Sequence, residues 1–320
     1  MKQRLVMMVF PALLALIVAP VAWADYDQDF DGLAGSPSGT VLTGQDGYFL
    51  PTGPPGDADF LVYTYTGNTL GIEANPQGGS QFIAGTGPGG GTYARAERLL
   101  DFGTGSDVWE IWYDFCAIYT GAPPGSNNVG SFSMRQASNT VHINLITWAD
   151  PNDPVVLNST YVYYDAGGVQ SPIPGTPPGP EWANLQPNHW YRGRTVVDLF
   201  SNLIIEVGIQ DLSGGSEAVY YPENWYLFGG QNPVGIPDAF RFFGGGGNAG
   251  NTCAFDNCLI QLGQQPTGAC CFSDGTCLVT SPEECSGVYQ GNGTDCDPNE
   301  CPQPNAIEIS TWGVIKNHYR

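Results

Sequence analysis

Apolar residues in this chain recur at alternate positions or in short unbroken runs, and the runs end at Gly, Pro or Asn. A period of two belongs to the extended chain, whose side chains point to opposite faces in turn. The pattern predicts strands at Phe60–Thr66, Val108–Tyr119, Thr140–Trp148, Thr160–Asp165, Trp190–Leu199, Leu203–Leu212, Ala239–Phe243 and Ala254–Leu262. Two of these, Trp190–Leu199 and Leu203–Leu212, read as a hairpin closed through Phe200, Ser201 and Asn202. Within Val108–Tyr119, alternation places Trp109, Ile111, Tyr113 and Phe115 on a core face. Glu110, Trp112 and Asp114 fall on the opposite one. No segment sustains a 3.6-residue period with capping residues at its ends. The expectation is an all-β protein, with residues 25–262 long enough to close one β-sandwich around a full core.

Composition supports strands joined by many turns. The 320 residues include 44 Gly and 26 Pro, roughly double the usual combined share. Aromatic residues make up 12%, too many for a disordered chain. The formal net charge is -21, with 10 basic and 31 acidic residues. Such a chain has no electrostatic footprint for nucleic acid and no basic patch for anionic lipid.

Residues 1–24 read as a signal peptide. Lys2 and Arg4 begin it, an apolar run spans Leu5 to Val18, and Ala22-Trp23-Ala24 places small residues before a cleavage point at Asp25. Removing Lys2 and Arg4 leaves 8 basic against 31 acidic residues, a balance of -23. The apolar run is short for a span and is broken by Pro11. The expected location is secreted or cell surface, with no membrane span.

Cysteine usage agrees with export. Cys270, Cys271, Cys277, Cys285, Cys296 and Cys301 crowd the segment 268–302, with no His among them and no C-x2-C pair, so zinc spacing is wrong. A small disulfide-rich module is expected there, held by crosslinks because it is too short for an apolar core. Six cysteines allow 15 pairings. Cys253 and Cys258 are expected to be bridged, to each other or one of them to Cys116, and the odd count leaves one thiol over. Residues 263–267 form the linker and 303–320 the tail.

Several short motifs resemble a known family. Phe30-Asp31-Gly32-Leu33-Ala34-Gly35-Ser36 followed by Gly44-Gln45-Asp46-Gly47-Tyr48 resembles the D-F-E-x-Y-x-x-G and G-Q-x-G-W opening of concanavalin A-like lectin/glucanase (laminin-G-like) jelly rolls. The hairpin at 190–212 resembles their paired W-x-x-x-x-V-x-x-D and V-x-I-x-D strands. Phe255-Asp256-Asn257-Cys258-Leu259-Ile260 resembles their closing F-D-N-V-x-I strand. Tyr48 stands where Trp is usual, and Cys258 where an aliphatic residue is. The resemblance implies a jelly-roll sandwich whose first and last strands lie side by side. The segment from Gly268 to Pro302 resembles a G-A-C-C-x-x-D-G-x-C module of exported bacterial proteins, and Trp312 to Arg320 resembles W-G-x-I-K-x-x-Y-R endings. That ending implies a sorting signal, its rival being a short terminal strand on the knot.

The candidate chemistry follows from the same resemblance. Family glucanases carry E-x-D-x-E on one strand, with the outer carboxylates as nucleophile and acid. Here Glu110-Ile111-Trp112-Tyr113-Asp114 replaces the central Asp by Trp, which favours surface carboxylates beside a packed ring over catalysis. No G-x-S-x-G elbow occurs, His142, His189 and His318 lie in no H-E-x-x-H setting, and Gly85–Gly90 fits G-x-G-x-x-G in letters only. Asp27-x-Asp29-x-Asp31-Gly32 opens like a calcium loop, but Ser38 stands where the loop needs Glu. The resemblance instead implies one structural calcium ion between first and last strands, with Asp29, Asp31 and Asp256 as its ligands. Sugars stack on aromatic rings while Asn, Asp and Gln bond the hydroxyls. Trp112 on the face opposite the core, Trp148 before the Ala149–Asp153 loop and Trp225 beside Glu223 and Asn224 are the candidate platforms, with Glu110 and Asp114 as polar partners. Any one of these rings has core packing as its rival role. The sequence therefore points to a non-catalytic, exported lectin-like protein binding glycan or extracellular polysaccharide on a concave sheet. The alternatives are a ligand-free structural surface protein and a divergent glycoside hydrolase.

Overall fold

A computed structural model gives the architecture. It describes residues 26–301 except 54, 104–107, 120–127, 137–139, 150–155, 174, 247–248, 264–266, 283, 298 and 300. The expected signal peptide, tail and most of the linker lie outside the described residues. Among the described residues the helical element is a single 3-10 turn, Pro180–Trp182, and no helix is long and apolar enough to cross a membrane.

The chain folds as a jelly-roll β-sandwich followed by a small disulfide-rich unit. The larger sheet is 9-stranded. It runs Ala218–Tyr220, Leu203–Asp211, Trp190–Asp198, Val108–Ile118, Thr252–Leu262, Gln81–Thr86, Leu61–Thr64 and Thr40–Val41, and Tyr26–Gln28 also pairs with Thr252–Leu262. The 6-stranded sheet runs Leu157–Val162, Val141–Ala149, Asn128–Arg135, Ala239–Gly244, Ala94–Leu99 and Ala58–Asp59. Nearly every pairing is antiparallel; Ala58–Asp59 joins Ala94–Leu99 in parallel.

The two sheets bury their facing rings against each other. Tyr113 of the larger sheet stacks on Phe132 of the smaller with centroids 4.4 Å apart, and Phe255 meets Phe242 at 4.7 Å. Trp109, Ile111, Tyr113 and Phe115 all lie in this core, as alternation requires. Each such aromatic side chain contributes on the order of 2–3 kcal/mol by leaving water.

The first and last strands of the sandwich are neighbours. Tyr26 pairs with Ile260, Asp27 with Leu259 and Gln28 with Cys258. The last strand also carries a bulge between Asp256 and Leu259, where Asn257 turns left-handed at φ 45°. Asn tolerates that region far better than branched residues do. The bulge shifts the alternation, so that Phe255 and Cys258 both face the core.

Three disulfides hold the C-terminal unit: Cys270–Cys285, Cys271–Cys301 and Cys277–Cys296. Its sheet is 3-stranded, with Gly268–Cys271 between Cys277–Thr280 and Val288–Tyr289. The expected bridge at Cys253 or Cys258 is corrected: both are free and buried, as is Cys116. Five positions of largely extended strand separate Cys253 from Cys258, up to about 16 Å at about 3.3 Å per residue, against a disulfide reach of about 7 Å. Cys116 is barred from Cys253 by direction. It faces outward with Trp190 and Ala254, whereas Cys253 faces the core. Burial pushes all three thiols well above the ordinary range, which makes them unreactive.

Candidate functional site

The outer face of the larger sheet divides into three zones along Val108–Ile118. Across that strand, Cys116 is paired with Trp190 and Ala254, Asp114 with Arg192 and Asp256, Trp112 with Arg194 and Leu259, and Glu110 with Val196 and Gln261.

The first zone is apolar and covered. The loop 65–80 lies over it, placing Ile72 among Phe82, Cys116, Trp190 and Ala254. Backbone carbonyls of the loop hold it down: the Trp190 indole donates to Glu73 O at 2.8 Å and the Asn188 amide to Gly71 O at 3.1 Å.

The second zone is polar and sealed. Asp114 is wholly buried, and its carboxylate accepts from Arg192 Nε at 2.7 Å and Arg192 Nη2 at 3.0 Å. Asn257 Nδ2 and Asn75 Nδ2 each donate to Asp114 Oδ2 at 2.8 Å. Asp256, also wholly buried, accepts from the Tyr65 hydroxyl at 2.7 Å, Asn75 Nδ2 at 3.2 Å and the Asn257 backbone N–H at 2.8 Å. Burial pushes the Asp256 carboxyl up to about 8; the Tyr65 and Asn257 donors pull it back, and Asp114 adds to the rise.

The third zone is an open cleft of about 700 Å³ between the sheet and the disulfide-rich unit. Glu110, Arg194, Glu206 and Gln261 form its floor, while Val279, Thr294 and Asp295 line it from the opposite side. Arg194 serves three carboxylates. Its Nη1 donates to Glu110 at 3.1 Å, its Nε to Glu217 at 2.6 Å and its Nη2 to Glu206. Gln261 Nε2 bonds the other oxygen of Glu110 at 3.1 Å. The unit meets the sandwich at Tyr221, where Gly293, at φ 73°, leaves no room for a Cβ beside the ring. The last strand continues toward it through Gly263, whose N–H donates to Val108 O at 2.9 Å.

The expected site residues part company here. Glu110, Trp112 and Asp114 do share the face, yet only Glu110 reaches the cleft. The Trp112 ring has the Arg192 guanidinium 5.5 Å from its centroid and that of Arg194 at 6.0 Å, so cations occupy its neighbourhood. Trp225 packs against the main core instead, stacked on Tyr163 with centroids 4.2 Å apart and planes 9° from parallel. Trp148 lies on Val141–Ala149 of the other sheet, where its backbone pairs with Asn158; its side chain lies outside the described residues.

The carboxylates of the expected calcium ligands are each met by hydrogen-bond donors of the protein. Asp29 Oδ1 accepts the backbone N–H of Asp31 at 3.0 Å. Asp31 Oδ1 accepts from Ser80 N at 2.7 Å, Ser80 Oγ at 2.9 Å and Gln81 N at 2.9 Å. Asp31 Oδ1 and Asp256 Oδ2 both lie beside Gly79, 3.7 and 3.5 Å from where a Cβ would stand. Donors surround both carboxylates, whereas calcium needs about six to eight oxygen ligands. A calcium ion at this place would have to displace those donors. Among the described residues the grouped metal-type ligand atoms are sulfurs of Cys271, Cys277 and Cys301, which are already in disulfides.

Sequence reasoning missed Arg192, Arg194, Glu206, Gln261 and Asn75. A signal for two of them was present: Arg192 and Arg194 alternate on one predicted strand in a chain with only 10 basic residues.

No protein-family model matches the sequence, and no curated protein does. Among solved structures, a carbohydrate esterase from Shiga toxin-encoding bacteriophage phi24B is similar with a TM-score of 0.39 at 13% identity, over 63% of this chain and 95% of that one. A cellulose induced protein gives 0.39 at 13% identity, over 73% and 96%. A GH43 glycoside hydrolase with endo-xylanase and exo-arabinofuranosidase activity gives 0.41 at 9% identity, over 80% of this chain and 44% of that one. At such scores the fold rests on the strand pairing above and not on these likenesses.

Proposed function

We propose that this is an exported, non-catalytic protein that binds glycan in the cleft between the larger sheet and the disulfide-rich unit. One observation carries the reading: a cleft of about 700 Å³ is lined from two separately stabilised units by polar groups held in fixed positions. Glycan recognition needs hydrogen-bonding groups that keep their direction, and the Arg194 network supplies them. Surface adhesion follows if the polysaccharide is extracellular.

Hydrolysis through Glu110 and Asp114 is disfavoured. An acid and nucleophile pair must reach the glycosidic bond. Asp114 has both oxygens committed to Arg192, Asn75 and Asn257 and has no exposed surface.

The test is retention of the purified protein on a panel of insoluble polysaccharides. Gln261→Ala, on the cleft floor, is expected to lower retention several-fold with little change in melting temperature. Retention on no polysaccharide would leave a structural surface protein as the better description. Retention that this substitution leaves unaltered would place binding elsewhere.

A further inference from the structure

The donor and acceptor inventory of the cleft narrows the class of glycan. This step rests on the cleft being the binding site.

Arg194 is the cationic side chain among the described cleft residues. Each of its three guanidinium nitrogens is bonded to a different carboxylate, those of Glu110, Glu206 and Glu217. A ligand carboxylate could recruit Arg194 only by displacing one of them. Arg192, the next cation on the strand, is held by both oxygens of Asp114 and does not line the cleft.

Acceptors are more plentiful than donors. Arg194 engages Oε1 of both Glu206 and Glu217. Asp295, on the opposite wall, takes the backbone N–H of Asp297 on Oδ1 at 2.7 Å. Glu110, Glu206 and Asp295 against Arg194 leave a formal charge of -2 among the residues that line the cleft. A neutral sugar entering it strips water from these carboxylates without answering their charge, and an acidic sugar adds repulsion. A ligand ammonium answers the charge and supplies three donors.

We propose that the cleft takes a glycan bearing free amino groups, a hexosamine oligomer or polymer, in preference to neutral or acidic glycans. The ammonium groups meet Glu206 on the floor and Asp295 on the opposite side. The disulfide-rich unit thereby becomes half of a recognition site, with Asp295 fixed next to the Cys277–Cys296 bridge.

Calorimetric titration of the full chain with three tetrasaccharides tests this: glucosamine tetramer, N-acetylglucosamine tetramer and tetragalacturonate. Acetylation removes the charge and keeps the sugar skeleton, so the first pair isolates the ammonium. The free amine is expected to bind at least about tenfold tighter than the acetylated form, a preference that shrinks as salt rises. Glu206→Gln and Asp295→Asn, both at the cleft, are each expected to weaken the amine about two- to tenfold. Asp274→Asn, on an exposed turn away from the cleft, is the control for bulk attraction to an acidic protein and is expected to change nothing.

Equal or tighter binding of the acetylated or acidic tetramer would overturn the inference and leave the glycan-binding reading standing. So would a loss with Asp274→Asn as large as with the cleft variants. Failure of all three tetramers to bind the folded protein would remove the cleft as a glycan site, and the inference with it.

Discussion

Asp256 lies directly across from Asp114 on the adjacent strand, and one amide group, Asn75 Nδ2, bonds both carboxylates. A single guanidinium, that of Arg192, serves this pair, and it is spent on Asp114. Two buried carboxyl groups with one cation cannot both ionise cheaply. Asp256 carries the consequence, its carboxyl pushed up to about 8 by burial first.

That shift fixes a sign for stability against pH. The folded state holds the Asp256 proton more tightly than the unfolded chain does. The contribution is therefore complete below about pH 4 and lost as pH rises through about 8. The slope attributable to this group is at most about 1.4 kcal/mol per pH unit. Asp256→Asn keeps the side-chain shape and is expected to remove that decline. Melting temperatures from pH 5 to 9 check it, and a variant with the wild-type pH profile would contradict the assignment.

His142 acts in the opposite direction. It is fully buried beside Phe228, and neither ring nitrogen has a hydrogen-bond partner. Burial lowers it from 6.5 to about 4, with Asp238 partly opposing. The folded state disfavours the charged ring, so its contribution is present above about 6.5 and lost as pH falls toward 4. His142→Phe is expected to flatten acid destabilisation between pH 6.5 and 4, read from urea midpoints. Unchanged acid sensitivity would show that other groups set it.

The cysteine arrangement predicts a two-part response to reagents. Cys116, Cys253 and Cys258 are buried thiols, and the other six cysteines are paired within the C-terminal unit. A thiol reagent is expected to find nothing in the native protein and three equivalents after denaturation without reductant. Mild reduction is expected to loosen the small unit and leave the sandwich transition in place, because no disulfide joins the two. A count other than three would redraw the pairing.

Gly293 predicts a specific weakness in how the unit is seated. A side chain there collides with Tyr221, and a φ of 73° already disfavours any residue but Gly. Gly293→Val is expected to lift the unit from the sandwich at a cost of about 1–3 kcal/mol in its docking. The readout is faster hydrogen exchange at the Gly263 N–H, which donates to Val108 O, and at the residue 293 N–H, which donates to Thr267 O. Tyr221→Ala should partly restore protection in the double variant, and no restoration would mean that backbone strain alone is responsible.

Much of the fold was legible in the chain because period two survives wherever one face is buried. The core set of Val108–Ile118 and the closing Phe255-Asp256-Asn257 segment are examples. Ala94–Leu99 was missed because its alternation is A-R-A-E-R-L, in residues whose local preference is helical; pairing with Ala239–Gly244 and the placing of Ala94 and Ala96 inward override that preference. Gln81–Thr86 and Asn128–Arg135 carry Gly or Ser where apolar runs mark other strands. The shared face of Glu110, Trp112 and Asp114 was also legible. That Asp114 is sealed while Glu110 stays open was not, because Asn75 arrives from a distant loop and Asp295 from another unit. No local pattern encodes such meetings.

The strand Thr252–Leu262 lies between Val108–Ile118 and Gln81–Thr86 and also carries Tyr26–Gln28. It is a keystone delivered late. A growing chain that has not yet produced it leaves two flanks of the larger sheet unpaired, so the sandwich shuts only near the end of synthesis. Contacts so far apart in sequence form slowly. Until that one strand arrives the two halves of the larger sheet have nothing to join them, so closure is a single late event written into the order of the strands.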